Sequence, residues 1–226
     1  MQGQALTLSQ DQAHYLFNVM RLPIGGEVRV FNGTDGEWAA SVVESGKRGG
    51  VLEALSQTAP QRNPPDLWLM FAPIKKARTD FIVEKATELG VARVLPVETQ
   101  HTNSERIRRD RLQAHAVEAA EQCGGTYVPV VEDIKPLAAR LAAFPSGRTL
   151  IFCDETRTSE TADWSGLAGP AAILIGPEGG FSEKERANLR TLPYAIGKSL
   201  GPRILRADTA AAAAITLWQA ANGDWR

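Results

Sequence analysis

The stretch ILIGPEGGFSEKERANLR, residues 173–190, constrains the fold of this chain most. It opens with a β-branched apolar run at residues 173–175, the pattern of a buried strand. Three glycines in the turn that follows can adopt backbone angles closed to other residues: Gly176, Gly179 and Gly180. Ser182 and Glu185 then match the capping box that begins a helix. The stretch therefore predicts a strand, a loop of the size that binds a small ligand, and a helix.

Glycine turns between a strand and a helix often bind phosphate, because unpaired N–H groups and the helix dipole attract anions. This loop lacks the Lys-Ser/Thr pair of a P-loop and the glycine order of a dinucleotide-binding fold. Its carboxylates, Glu178, Glu183 and Glu185, would repel a phosphate group. We therefore expect the backbone of the loop to approach an uncharged or cationic ligand; the alternative is a tight turn that serves stability alone.

A second stretch, SLGPRILRADTA at residues 199–210, favours the ligand interpretation. Together with GPEGGFS at residues 176–182, it resembles the paired signatures of the RsmE family, SPOUT-superfamily enzymes that methylate N3 of a uridine in 16S ribosomal RNA. The segments KATELGV, residues 85–91, and EAAEQCG, residues 118–124, extend the resemblance over most of the chain. The resemblance implies a trefoil-knotted SPOUT domain, S-adenosylmethionine as cofactor, and an obligate homodimer with the cofactor site beside its interface.

Two domains are expected on either side of an aperiodic, proline-rich segment at residues 57–66. Residues 1–62 have strand patterns at 27–31, 37–43 and 51–55 after a short helical opening capped by Ser9. The resemblance makes this domain a PUA-like β-barrel that helps to hold RNA. Family members usually begin with one further strand, for which this sequence shows no pattern.

Residues 66–226 alternate between strand and helix patterns, which predicts an α/β domain, a mostly parallel sheet with helices on both faces. The strand patterns lie at residues 67–72, 94–97, 128–131, 150–153, 172–175 and 194–196. The helix patterns lie at residues 79–89, 104–123, 135–143, 182–190 and 209–222. Asp208 or Thr209 is expected to cap the last helix, whose run of alanines allows close packing.

The formal net charge of −1 argues against indiscriminate nucleic-acid binding, which needs an excess of Lys and Arg. Local basic clusters suit one structured RNA target instead, although at least one cluster is expected to be solvated helix surface: Lys75, Lys76 and Arg78; Arg106, Arg108, Arg109 and Arg111; Arg203 and Arg206. No apolar run approaches a membrane span and no signal-peptide pattern is present, so a cytoplasmic protein is expected. Cys123 and Cys153 lack metal or disulfide spacing, which predicts buried thiols and no bound metal.

Methyl transfer to a uridine nitrogen requires alignment of donor and acceptor and loss of the N3 proton. By resemblance, backbone groups read the cofactor at Leu174, Gly176, Gly179, Leu200, Gly201, Ile204 and Leu205. We expect the Arg206 guanidinium to hold a developing uracil oxyanion or a phosphate. Glu178 is the first candidate proton acceptor and Asp208 the second; the alternatives are loop solvation and helix capping. RNA contacts are expected at Lys75, Lys76, Arg78, Arg108 and Arg203.

One residue departs from the family pattern. The family usually has an arginine after the Glu-Gln-x-Gly segment, where this chain has Gly125. The task of that arginine then falls to Arg108, Arg109 or Arg111, or activity is weakened.

Three rival functions remain open at the level of sequence. A SPOUT enzyme could modify a ribose 2′-hydroxyl or another base, since function resides in the site rather than in the fold. A non-catalytic RNA-binding protein would bind RNA without the cofactor. An ordinary nucleotide-binding α/β enzyme is disfavoured by the acidic loop.

Overall fold

The protein is described from a computed structural model, which covers residues 2–46, 48–103, 107–157 and 163–226. The chain forms two compact units, Met1–Asn63 and Pro64–Arg226. The division falls in the aperiodic segment, whose three prolines interrupt regular structure. No helix in the described ranges is long and apolar enough to cross a membrane.

The N-terminal unit is built on an antiparallel sheet with the strand order β1-β4-β3-β2. Its elements are β1 (Ala5–Thr7), α1 (Gln10–His14), a π-helical turn (Tyr15–Val19), β2 (Glu27–Phe31), β3 (Glu37–Gly46) and β4 (Gly49–Ala59). The core of this unit contains Leu16, Ala40, Val42 and Leu52. Register shifts between β3 and β4 mark bulges, which bend and twist a sheet.

The opening of this unit corrects one expectation. Strand β1 precedes the helix and pairs antiparallel with β4, so the described part of this unit opens with a short strand rather than with a helix. Three residues, Ala-Leu-Thr, are too few to show a strand period. The expected cap is confirmed, because Ser9 and Gln12 form a reciprocal capping box.

The C-terminal unit is a parallel sheet with the order β11-β9-β10-β5-β6-β7, and β8 pairs with β6. Its strands are β5 (Leu67–Phe71), β6 (Arg93–Glu98), β7 (Val130–Val131), β8 (Lys135–Pro136), β9 (Thr149–Cys153), β10 (Ala171–Ile175) and β11 (Ala195–Lys198). Its helices are α2 (Lys76–Glu88), α3 (Arg109–Cys123), α4 (Leu137–Ala142), α5 (Glu183–Thr191) and α6 (Ala207–Asn222).

Helices cover both faces of this sheet, as the sequence predicts. Alternate residues of one strand point to opposite faces, and β10 shows this directly. Ile173 packs in the core that α2, α3 and α6 complete, whereas Leu174 packs in a separate core with residues of α4 and α5. Strand β10 is buried along its whole length, which explains its continuous apolar sequence.

Several element boundaries differ from the sequence patterns. The helix expected at residues 104–123 begins at Arg109; residues 104–106, which include Arg106, lie outside the described part of the chain. The pattern at 135–143 splits into β8 and α4 at Pro136, because a proline disfavours helical angles in the residue before it. Helix α6 begins two residues early, so its N-cap is Arg206 rather than Asp208 or Thr209.

Candidate functional site

A cavity of about 290 Å³ opens at the carboxyl ends of β9, β10 and β11. Residues from three chain segments line it: 153–155 at the end of β9, 175–180 at the end of β10 without Gly179, and parts of 198–210, which lead from β11 into α6. Ligands of open parallel sheets bind at this edge, because the loops there are free to vary while the strands hold them in place. We call this the carboxyl-edge cavity.

The loop after β10 is closed by a tight turn. The Gly180 N–H donates to the Pro177 carbonyl at 2.9 Å, and Gly180 has a φ of +69°. A residue other than glycine at this position would have a strained backbone conformation, and its Cβ would lie 2.4 Å from Oε1 of Glu155, so that side chain would have to move; both effects favour glycine. The glycine therefore lets the main chain approach the cavity wall.

A neighbouring loop, which follows β6, supports the same turn. The Gln100 N–H donates to Oε1 of Glu185 at 2.8 Å, and Nδ1 of His101 lies 3.1 Å from the Gly180 carbonyl oxygen. Glu185 also completes the predicted capping box with Ser182, which fixes the start of α5. The loop after β10 is thus fixed by β10 at its start, by the capped end of α5 at its finish, and by contacts with the loop after β6.

The third segment turns sharply before it enters α6. Ser199 is buried, and its Oγ accepts a hydrogen bond from the Gly201 N–H at 3.1 Å. Gly201 has a φ of +98°, a conformation that other residues rarely adopt. Ile204 is 76% exposed, and Arg206 is the N-cap residue of α6.

A buried ion cluster forms the wall beside β9. The Asp154 carboxylate is fully buried and accepts hydrogen bonds from Thr156 at 2.7 Å and from Nη2 of Arg190 at 2.6 Å. Burial alone would raise the pKa of Asp154, but these hydrogen bonds and the Arg190 charge hold it below its usual range. Arg186 pairs with Glu155 at 2.5 Å. The cluster therefore joins the loop after β9 to helix α5 through two ion pairs.

The cavity gathers most of the residues predicted for the cofactor and the chemistry. Eight predicted residues line it: Gly176, Glu178, Leu200, Gly201, Arg203, Ile204, Leu205 and Arg206. The Leu174 side chain instead lies in the core. Gly179 is exposed beside His101 and is not part of the lining. Asp208 also lies outside the lining, because its carboxylate pairs with Arg78 at 3.1 Å.

The other basic residues predicted to bind RNA are dispersed. Lys75 and Lys76 are exposed at the start of α2, while Arg78 links α2 to α6 through Asp208. Arg108 pairs with its neighbour Asp110 at 2.6 Å.

The arginines that could replace the one missing at Gly125 also have local partners. Nε of Arg109 donates to the Val131 carbonyl at 2.9 Å, and Arg111 pairs with Asp80. These two side chains therefore brace α3 against β7 and α2, respectively.

Sequence patterns missed three lining residues at the carboxyl ends of β9 and β11, namely Asp154, Glu155 and Lys198. Their position directly at the carboxyl ends of predicted strands was the available signal. The expectation of two buried thiols is half right: Cys153 is buried and lines the cavity, where burial raises its pKa, but Cys123 is exposed. Among the described residues, no group of three or more His, Cys, Asp or Glu side chains could hold a metal ion.

Comparisons with known proteins agree with this geometry. The family model described as RNA methyltransferase domain matches residues 61–219, and the model described as RNA methyltransferase PUA domain matches residues 8–55. The ribosomal RNA small subunit methyltransferase E of Rickettsia conorii is 30% identical over 92% of this chain and 86% of its own length. The protein of the same name from Bacillus subtilis is 26% identical over 92% of this chain and 87% of its own length.

A solved structure shows the same fold. The crystal structure of ribosomal RNA small subunit methyltransferase E from Neisseria gonorrhoeae, bound to S-adenosyl methionine, has a TM-score of 0.88 at 28% identity. The superposition covers 100% of this chain and 95% of the other. The sequence predicts a SPOUT-type fold that follows a PUA-like domain along the chain, and this prediction is thereby confirmed.

Proposed function

Because this chain belongs to the RNA methyltransferase family that carries an N-terminal PUA domain, we propose that it methylates N3 of a specific uridine in 16S ribosomal RNA, with S-adenosylmethionine as donor. The observation that carries the proposal is the carboxyl-edge cavity, where both signature loops and Arg206 meet. Relatives named for methylation of small-subunit ribosomal RNA align with nearly the whole chain.

The residues of the carboxyl-edge cavity fit this cofactor. Ile175, Leu200 and Leu205 provide apolar surface for an adenine ring, while glycine turns leave main-chain groups accessible. The acidic side chains, Glu155 and Glu178, suit a cationic sulfonium better than a phosphate. S-adenosylmethionine supplies an electrophilic methyl group when it is bound there.

Arg206 is the residue we assign to the acceptor base. It stands exposed at the N-terminus of α6 and its side chain makes no capping hydrogen bond, so its guanidinium is available to a substrate. When N3 loses its proton, negative charge spreads over the neighbouring uracil oxygens. A planar guanidinium can donate two hydrogen bonds to such an oxyanion and stabilise it.

Glu178 is the better of the two candidate proton acceptors. Its side chain is exposed and lines the cavity. The Asp208 carboxylate lies outside the lining and is paired with Arg78 at 3.1 Å, so it must break an ion pair to act as a base. We therefore assign proton removal to Glu178 and assign Asp208 the task of fixing α2 against α6.

The RNA would reach the cavity across exposed cations. Arg203 lines the cavity and is exposed, and Lys75 and Lys76 are exposed at the start of α2, which suits phosphate contacts. We further propose that the protein acts in the cytoplasm as a homodimer. A partner subunit over the mouth of the cavity would cover Ile204, whose large apolar side chain is otherwise exposed.

Nucleoside mass spectrometry tests the proposed reaction. The protein is incubated with S-adenosylmethionine and small ribosomal subunits that lack the modification, and the digested RNA is compared with a 3-methyluridine standard. We expect 3-methyluridine to appear only when both protein and cofactor are present. A 2′-O-methylated or differently methylated nucleoside would show that the enzyme modifies another position of the RNA. RNA binding without any methyl transfer would contradict an enzymatic function.

A further inference from the structure

A second cavity, of about 250 Å³, lies near the amino ends of β5 and β6. Trp68 and Met70 of β5, Leu95 of β6, and Ala139 of α4 belong to its lining. The carboxyl-edge cavity lies at the other ends of the parallel sheet, and the two cavities share no lining residue. We call the second one the amino-edge cavity.

The amino-edge cavity carries an excess of positive charge. Its charged lining consists of Arg93, Lys135 and Arg140 against the single carboxylate of Glu132. That carboxylate already accepts hydrogen bonds from both arginines, from Arg140 at 2.5 Å. Burial alone would raise the pKa of Glu132, but the hydrogen bond and charge of Arg140, with Arg93 and Lys135, lower it. The carboxylate is therefore ionised, and two positive charges are left without a counter-charge in this lining.

Arg140 has a donor that the protein does not use. Its side chain is only 9% exposed, and its Nη2 donates to the Asp133 carbonyl at 2.7 Å. Its buried Nε has no hydrogen-bond partner among the described residues. The Nε itself is buried out of reach of a ligand, but the guanidinium places a largely buried positive charge beside the cavity, which suits a bound anion.

The rest of the wall includes two aromatic side chains, Trp68 and Phe144. The centre of the Trp68 ring lies 4.6 Å from the Arg93 guanidinium and 3.6 Å from the Arg148 guanidinium, and Phe144 stacks on Tyr194 at 4.9 Å, so a base at this wall would extend one of these stacks. Nucleobases stack on aromatic rings and on arginine planes of this kind. An inorganic anion would leave the apolar wall unused, and an apolar ligand would leave the cations unpaired.

We propose that the amino-edge cavity binds a nucleotide, with the base against the Trp68 and Phe144 side and the phosphate at Arg140 and Lys135. The nucleotide is either a free mononucleotide or an unpaired residue of an RNA chain, because both present the same base and phosphate. The proposal is independent of the methyl-transfer reaction, since it uses no residue of the carboxyl-edge cavity.

Calorimetric titration of the whole protein with AMP tests this site, with excess S-adenosylhomocysteine present to fill the carboxyl-edge cavity. Ala139→Trp places a large ring in the amino-edge cavity, and Ala142→Trp puts the same ring on an exposed position of α4 outside it. We expect AMP to bind the wild type and Ala142→Trp equally. Ala139→Trp should weaken binding about tenfold or more, and adenosine or inorganic phosphate should each bind the wild type about tenfold more weakly than AMP.

A charge reversal keeps the test valid if the tryptophan variant does not fold. Lys135→Glu should weaken AMP binding several-fold, whereas Lys184→Glu, an equally exposed lysine outside the cavity, should not. AMP binding that is absent at millimolar concentration, or that neither cavity variant weakens, overturns the proposal. Unchanged affinity for S-adenosylmethionine in Ala139→Trp separates this outcome from a failure of the proposed methyl transfer.

A short single-stranded RNA, labelled with a fluorophore, distinguishes the two sources of the nucleotide. If the RNA binds more tightly than AMP and Ala139→Trp weakens it, the cavity takes an unpaired nucleotide of an RNA chain. If AMP binds through the cavity but Ala139→Trp leaves RNA binding unchanged, the ligand is a free mononucleotide.

Discussion

The carboxyl-edge cavity is shaped largely by the main chain of its loops, whereas the amino-edge cavity is shaped by side chains. The first is lined by loops in which Gly176, Gly180 and Gly201 bring the main chain to the surface. The second is lined by aromatic and charged side chains that come from residues 68–145. A main-chain site needs particular residues, such as glycines, at neighbouring positions in the sequence. A side-chain site needs only that the fold brings suitable side chains together, from any positions in the sequence. The two cavities therefore differ in how they respond to substitution.

The largest effect should come from Arg206, one of the two catalytic side chains proposed for the carboxyl-edge cavity. Arg206→Ala removes the guanidinium from the developing oxyanion, and turnover should fall about 100-fold or more. S-adenosylmethionine affinity should stay unchanged, because the cofactor contacts that we propose are made by main-chain groups. Single-turnover methylation and calorimetry measure the two quantities separately.

Arg203→Ala is the matched control for that variant, since it removes a second exposed arginine from the same lining. It should raise the KM for RNA more than it lowers kcat. Equal loss of turnover in both variants would mean that Arg206 only attracts RNA.

The next largest effect is expected at the buried ion cluster around Asp154, the part of the carboxyl-edge cavity wall that is formed by side chains. Asp154→Asn should lower the free energy of unfolding by about 2–3 kcal/mol, because it leaves buried hydrogen-bond donors with a weaker, uncharged partner. Urea denaturation measures the change. Asp163→Asn is the control: Asp163 is exposed, and among the described residues its carboxylate accepts hydrogen bonds from Ser165 alone, so little change is expected. Equal stability of both variants would contradict a structural role for the cluster.

A smaller effect is expected from alanine at Gly180. Comparison with alanine at Gly124 separates the cost of backbone strain from the cost of a Cβ beside the cavity. Gly180 and Gly124 have nearly equal φ values, +69° and +68°, but only at Gly180 does a Cβ meet another atom within 4 Å. Gly124→Ala should cost about 1 kcal/mol of stability from the backbone alone. Gly180→Ala should cost more and should also weaken S-adenosylmethionine binding, as calorimetry can measure. Equal affinities in the two variants would show that the turn does not shape the cofactor site.

The smallest effect is a pH dependence of stability. The pKa of Asp154 is lowered in the folded protein, so below the ordinary value of about 4 the unfolded chain binds more protons. Stability from this group is complete above about pH 4 and is lost as the pH falls through the lowered value. Urea titrations between about pH 3 and pH 7 should show a shallower loss in Asp154→Asn than in the wild type. Parallel curves would exclude Asp154 as a source of acid sensitivity.

Sequence alone predicts the carboxyl-edge cavity well because its features are local. The run at residues 173–175, the glycine turn and the Ser182–Glu185 capping box lie within one stretch, and each has a short-range signal. The lining at residues 199–206 is equally contiguous, and its resemblance to a known signature identifies it.

Features that depend on distant residues were not predictable in this way. Asp154 and Arg190 are 36 positions apart, and no periodicity links them before the sheet brings α5 beside β9. The exposure of Cys123 depends on which side of the last turn of α3 faces solvent. The amino-edge cavity has the same origin, since Trp68 and Arg140 meet only through the fold.

Hydrogen–deuterium exchange with and without S-adenosylmethionine tests most directly whether the carboxyl-edge cavity is the cofactor site. A ligand read by main-chain groups should slow amide exchange at the groups that it contacts. We expect protection in peptides that cover residues 174–180 and 199–206, and none in peptides that cover residues 130–145. Protection confined to residues 130–145, or an unchanged pattern at saturating cofactor, would contradict the assignment.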